Sequence, residues 1–224
     1  MLNLTYAQAV ELANDSSLEF GDILVAEQTP DYIVNLGCPQ LPLAIASRHL
    51  VKAMSTFDDH GHNHGISAEV MAEIPEAINH PAFVFDSDKR PDSICLMLDL
   101  YDDFDQPILI GIHLNGYVEE NGEIRHVNYI TSIYGKRRDG ACGQYSRALK
   151  ENRLLYVCRT SFMDLCRCID ISMTNRCPLS DTDEIVVSES RCAYNVSVNA
   201  DAYNARYASR YATVVSTEEE TAQI

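Results

Sequence analysis

Ala82-Phe-Val-Phe85, Ile94-Cys-Leu-Met-Leu-Asp-Leu-Tyr101, Pro107-Ile-Leu-Ile-Gly-Ile-His-Leu114 and Ile124-Arg-His-Val-Asn-Tyr-Ile-Thr-Ser-Ile133 are apolar runs separated by turns that contain Asp, Pro and Gly. Runs of this length and composition read as strands, and connections this short join antiparallel neighbours. In Ile108-Leu-Ile-Gly-Ile-His113 both faces are apolar as far as Gly111 and His113. That pattern predicts helices over one face and an opening of the other near His113.

Upstream the texture is helical. Thr5 with Gln8 makes a capping-box pattern ahead of Ala9, Val10 and Leu12, which predicts a first helix of about ten residues. Ile23 to Ala26 reads as a short strand. Thr29-Pro30-Asp31 offers a cap, a proline at the first helical position and an acid in the first turn, and Gly37 ends that helix after Leu36. Ser47 is placed to cap a helix carrying Arg48, His49, Lys52 and Met54, and Ser67 one carrying Val70, Met71 and Ile74. Downstream, Gly143 to Asn152 predicts a helix and Leu154 to Cys158 a returning strand. Helices first and strands afterwards is the pattern of an α+β fold, here N-terminal helices packed on a twisted antiparallel β-meander. The expected organisation is an N-terminal helix in 1–21, the main domain in 22–158, a cysteine-containing extension in 159–215 and an acidic tail in 216–224.

With 224 residues, 46% of them apolar, the chain can bury a substantial core. The start, Met1-Leu-Asn-Leu-Thr-Tyr6, has no basic stretch leading into an apolar one, and no window approaches the roughly 20 apolar residues of a membrane span. The expectation is therefore a cytoplasmic protein without a membrane partner, its eight cysteines reduced. Seventeen basic against 33 acidic residues give a net charge of −16. This argues against broad charge-driven binding to nucleic acid but leaves room for a local basic cleft, because field focusing depends on where charges lie.

His60, His62 and His64 alternate in a flexible loop and could converge on a metal, although no Cys-x-x-Cys or His-Glu-x-x-His accompanies them; a polar loop is the plainer reading, and no metal or cofactor is expected. Cys158, Cys166, Cys168 and Cys177 fit no usual zinc spacing and read as structural thiols. Asn128-Tyr-Ile-Thr-Ser-Ile-Tyr-Gly-Lys-Arg-Arg138 concentrates hydroxyls and cations at a strand end. Such a set can hold a phosphate, the cation stabilising negative charge and the hydroxyls fixing orientation; it can equally be a solvated strand end with a basic turn. His49 could supply the general acid or base of such a site, or be a surface or core histidine of its helix.

Thr29-Pro30 with Leu36-Gly37, Leu41-Pro-Leu43 followed by His49, His62-Asn-His64-Gly with Ile74-Pro75, His80-Pro81 followed by Phe83-Val-Phe-Asp-Ser87, Asp92-Ser-Ile94 and Thr131-Ser-Ile-Tyr-Gly-Lys136 occur in this order. Over roughly residues 22 to 157 this series resembles the C-terminal domain of phage MuF-type proteins and related domains of phage polyvalent proteins. Such domains are similar to the barnase, EndoU, colicin and RelE (BECR) group of metal-independent ribonucleases. The resemblance implies a BECR-like fold and cleavage of an RNA phosphodiester by the neighbouring 2′-hydroxyl. It also implies roles: His49 as acid or base, Lys136 as charge stabiliser, and Thr131, Ser132 and Tyr134 as phosphate-positioning groups. Arg137 and Arg138 would contact substrate, with His113 and His64 as reserves for the second proton transfer.

The leading expectation is thus a phage- or prophage-derived RNA-cleaving toxin or effector acting in the host bacterial cytoplasm or carried by the virion, with a cognate immunity protein as a partner. The alternative is a non-enzymatic phage inhibitor that binds a host defence complex through an acidic surface mimicking nucleic acid. Charge placement separates the two. A pocket holding His49 with Lys136, Arg137 and Arg138 favours catalysis, and a contiguous ridge of Asp99, Asp102, Asp103 and Asp105 favours mimicry.

Overall fold

The computed structural model describes residues 1–56, 64–90, 92–120, 122–168 and 184–185. Its elements in chain order are α1 (Tyr6–Asn14), β1 (Asp22–Ala26), α2 (Asp31–Asn35), β2 (Leu43–Ala46), α3 (Ser47–Met54), α4 (Ala68–Ala77), β3 (Pro81–Asp86), β4 (Ser93–Tyr101), β5 (Pro107–Glu120), β6 (Glu123–Gly135), α5 (Arg138–Lys150), β7 (Leu154–Cys158), α6 (Arg159–Cys168) and the two-residue β8 (Glu184–Ile185). The fold is α+β, and one sheet of order β1-β2-β6-β5-β4-β3-β7-β8 runs through it.

The predicted meander is present as β3, β4, β5 and β6, each antiparallel to the next. The sheet as a whole is mixed, however, and this corrects the expectation of an antiparallel one: β2 lies parallel to β6, pairing Leu43 with Asn128 and Ile45 with Ile130. All four residues of β2 are buried, as expected of a parallel strand covered on both faces. Its four residues follow Pro42, too short a run after a strand breaker to announce itself. The helical segments α3 and α4 then carry the chain across to β3, on the far side of the meander.

Local chemistry explains two helix ends in particular. The Thr5–Gln8 capping box forms in both directions. Gly37 follows α2 at φ 88°, a left-handed turn that glycine adopts without a Cβ penalty. Three caps differ from expectation; at α4, Ser67 stands at the cap but its hydroxyl donates to Asp103 Oδ1 at 3.2 Å. Pro30 rather than Thr29 precedes α2, because the Thr29 hydroxyl donates to Leu41 O at 2.6 Å. Ser47 is the first residue of α3, and its hydroxyl accepts from Gly21 N at 3.1 Å.

Two cores lie on opposite faces of the sheet. The larger joins Ala9 and Val10 of α1, Ile33, Leu50 and Ala53, and Met71 and Ile74 of α4 to Ile94, Leu96, Ile110, Ile112 and Ile130 of the strands. The second packs Ala141, Tyr145 and Ala148 of α5 and Phe162 and Leu165 of α6 on Phe83, Phe85, Met97 and Leu109. So α6 packs on the main fold, as α1 does. Among the described residues no helix is long and apolar enough to cross a membrane.

Asn128 ties the fold together. Fully buried, it donates Nδ2–H to Thr29 Oγ1 at 2.8 Å and to Pro39 O at 2.9 Å, and its Oδ1 accepts from Asn115 N at 2.9 Å. These bonds link β6, the segment leading into β2, and the irregularity in β5 where Asn115 takes φ 54°.

Candidate functional site

The site forms where β2 gives way to α3. β2 pairs with β6 only from Asn128 to Ile130, and α3 occupies the position beside β6 from there on. Leu50 and Ala53 turn into the core, which leaves Arg48, His49 and Lys52 facing β6 across a pocket of about 250 Å³ completed by His64, Thr131, Ser132 and Ile133. β6 carries a bulge at this point. Gly111 of β5 pairs with Ser132 and Ile112 with Ile130, so Thr131 is the extra residue. A bulge re-aims side chains locally, and here two consecutive hydroxyls face one glycine. A Cβ on Gly111 would stand 2.7 Å from Ser132 Oγ and 3.3 Å from Thr131 Oγ1, so only glycine leaves both in place. Thr131 Oγ1 donates to Gly111 O at 3.3 Å. His64 is pinned by its N–H, which donates to Lys52 O at 3.2 Å, and its ring lies 5.3 Å from that of Tyr134.

The pocket is a positive locality in an acidic protein. Burial pushes the half-buried His49 below its usual pKa of 6.5, and Arg48, Lys52 and Arg90 push the same way, while Asp22 acts against them. His49 is therefore neutral at pH 7. Its ring meets Tyr129 edge to face at 6.5 Å, and the Tyr129 hydroxyl donates to Asp22 Oδ1 at 2.6 Å. Burial first, then Asp22, raises the Tyr129 hydroxyl well above its ordinary value. Burial likewise raises Tyr134, with Cys95 and Asp88 adding to it. A neutral imidazole, two adjacent cations and paired hydroxyls suit an anion with several acceptor oxygens, such as a phosphodiester.

Residues 55–161 match the family model of the phage MuF-C-terminal domain. The match spans just under half of the chain; no curated protein and no solved structure matches. The matched segment contains His64, Thr131, Ser132, Tyr134 and Lys136, whereas Arg48, His49 and Lys52 precede it. The pocket is thus assembled by α3, from outside the matched segment, closing on a bulged strand within it.

Of the residues the sequence nominated, His49, His64, Thr131 and Ser132 line the pocket and Tyr134 contacts it through His64. Lys136 does not line it: its N–H donates to Pro107 O and its side chain runs along Gly140. Arg137 is exposed and pairs with Asp139 at 3.1 Å, and Arg138 opens α5. His113 sits one step across the sheet, paired with Tyr129 in register, its Nδ1 3.5 Å from Asp92 Oδ1. His60, His62, Cys177 and Cys192 lie outside the described residues; Cys158 is half-buried at the end of β7. Sequence reasoning missed that Arg48 and Lys52 line the pocket. Arg48 and Lys52 stand four residues apart on the polar side of α3, a spacing that could have flagged them. The acidic set forms no continuous ridge. Asp102 is buried and its Oδ1 accepts from Phe104 N and Gln106 N, both at 2.9 Å, while Asp99 accepts from the Tyr101 hydroxyl at 2.9 Å.

Proposed function

We propose that this pocket cleaves RNA by attack of a 2′-hydroxyl on the adjoining phosphodiester, without a metal, as the activity of a phage-related effector. The observation that carries the reading is a His49 held neutral among cations and facing two hydroxyls brought together by a bulge. His49 takes the 2′-hydroxyl proton; the 2′-oxygen bonds to phosphorus as the bond to the 5′-oxygen breaks; and His64 gives a proton to that departing oxygen. Arg48 and Lys52 stabilise the pentavalent phosphorane, the part the sequence had suggested for Lys136. Thr131 and Ser132 orient the phosphate. The products are a 2′,3′-cyclic phosphate and a 5′-hydroxyl.

Incubation of the purified protein with total RNA and tRNA in EDTA tests this. Cleavage is expected from the parent. His49→Ala should lose about 10²–10⁴ of the rate and Lys52→Ala about 10², while Lys136→Ala stays close to the parent. Intact RNA in every lane, or full activity of His49→Ala, contradicts the proposal.

A further inference from the structure

Beside the pocket a row of polar residues crosses the sheet, next to it through Ser132 and through the His49–Tyr129 ring contact. Side chains alternate along a strand, so Gly111 and His113 share a face of β5. In register, Gly111 pairs with Ser132 and His113 with Tyr129, and on the other side His113 pairs with Ser93 of β4. This face is closed at one end by α5 and α6 over Tyr134 and Cys95 and at the other by a small cluster of Ala44, Val118 and Val127 against Tyr129. Between them lies a polar strip, partly exposed at Gly111, His113, Tyr129 and Ser132. A second glycine borders it: a Cβ on Gly116 would stand 3.3 Å from Tyr129 Cβ and 3.4 Å from His113 Cδ2. Two residues of β-strand separate Gly111 from His113, about 6.6 Å.

We propose that the strip is a second nucleotide subsite, holding the residue next to the scissile phosphate of a single-stranded RNA, with Tyr129 and His113 against its base and sugar and Arg90 on its phosphate. The assignment rests on the RNA-cleavage reading of the adjoining pocket and adds to it the strandedness and minimum length of the substrate. Asp92 lies on the Nδ1 side of His113, and Ser93 Oγ donates to the same carboxylate oxygen at 3.4 Å. That arrangement favours a proton on Nδ1 and leaves Nε2 as an acceptor for a ribose hydroxyl or a base amino group. With the proton on Nδ1, Nε2 offers no donor to a phosphate, and that contact falls to Arg90 instead. Arg90 is exposed in the β3–β4 turn, where its N–H donates to Ser87 Oγ at 3.2 Å and its carbonyl accepts from Ser93 N at 3.1 Å. Ser93, whose N–H that carbonyl accepts, pairs with His113, so the turn carrying Arg90 opens at the His113 end of the strip. Bases reach such a strip only when splayed from a single strand; a duplex keeps them stacked inside.

Binding of 2′-O-methyl oligouridylates with 3′-phosphates, one to four nucleotides long, reads the subsite without cleavage because the attacking hydroxyl is blocked. The second nucleotide should tighten binding about tenfold, and further ones little. In Arg90→Gln the dinucleotide's advantage over the mononucleotide should fall below about twofold, with the salt slope of log K smaller by roughly one. His113→Asn should reduce the same advantage without changing the salt slope. Mononucleotide binding with no gain from the second nucleotide, a gain that survives both substitutions, or equal competition by a duplex overturns the subsite alone. Failure of every probe to bind overturns the subsite together with the pocket's RNA reading.

Discussion

Replacing Asn128 with Ala should unfold the protein at markedly lower denaturant, because three hydrogen bonds converge on this one fully buried side chain. The Thr29 hydroxyl keeps its bond to Leu41 O after the change, so the losses fall on the Asn115 N–H and the Pro39 carbonyl. A polar group left without its partner costs about 1–3 kcal/mol. Both backbone groups sit at the partly buried edge of the network, which places each near the lower figure. The void left by the amide adds about 1 kcal/mol. The sum, about 3 kcal/mol, is a large part of the roughly 5–15 kcal/mol that holds a typical domain together. Urea unfolding followed by circular dichroism should show the midpoint falling by about 1–2 M at unchanged slope. Thr29→Val should cost about 2 kcal/mol in the parent, where it removes both the bond to Leu41 O and the acceptor of Asn128, and about 1 kcal/mol less in the Asn128→Ala background, where only the bond to Leu41 O is left to lose. A loss below about 1 kcal/mol for Asn128→Ala, or simple additivity with Thr29→Val, would refute the network as described.

Gly135→Ala should destabilise by about 1–3 kcal/mol, since its Cβ would run into the Asp102 carboxylate that closes the β4–β5 turn; thermal melts check this, and an unchanged Tm contradicts it. The pH profile of cleavage should carry an acid limb below pH 6.5, rising as His49 loses its proton, and Arg48→Gln should move that limb upward by removing one cation that disfavours the imidazolium. The same depression makes the His49 contribution to stability complete above pH 6.5 and lost as pH falls through the lower folded-state value; a limb above 6.5 in the parent would contradict the sign.

The meander was legible because β3 to β6 are apolar runs punctuated by Asp, Pro and Gly, and neighbours in sequence are neighbours in the sheet. The capping box at Thr5 and the glycine stop at Gly37 were legible for the same reason: their physics is local. The parallel β2 was not, since four residues after a proline carry no periodicity and the partner strand is more than eighty residues away. The site divided along the same line. Thr131, Ser132 and His49 stood out by residue type, but the bulge that aligns the hydroxyls depends on register with Gly111, which no local pattern encodes. Lys136 follows the hydroxyls directly in sequence, yet its side chain runs along Gly140 instead. The cations that line the pocket, Arg48 and Lys52, come from α3, brought there by the β2–β6 pairing.

Cleavage through the 2′-hydroxyl is read by mass spectrometry of the ends made from a defined single-stranded oligoribonucleotide in EDTA, with the parent and His49→Ala compared. The parent should give 2′,3′-cyclic phosphate and 5′-hydroxyl ends, His49→Ala a rate lower by about 10²–10⁴, and the all-2′-deoxy counterpart should stay intact. Ends carrying 3′-hydroxyl and 5′-phosphate, equal cleavage by His49→Ala, or an uncut oligoribonucleotide would contradict 2′-hydroxyl attack driven by His49.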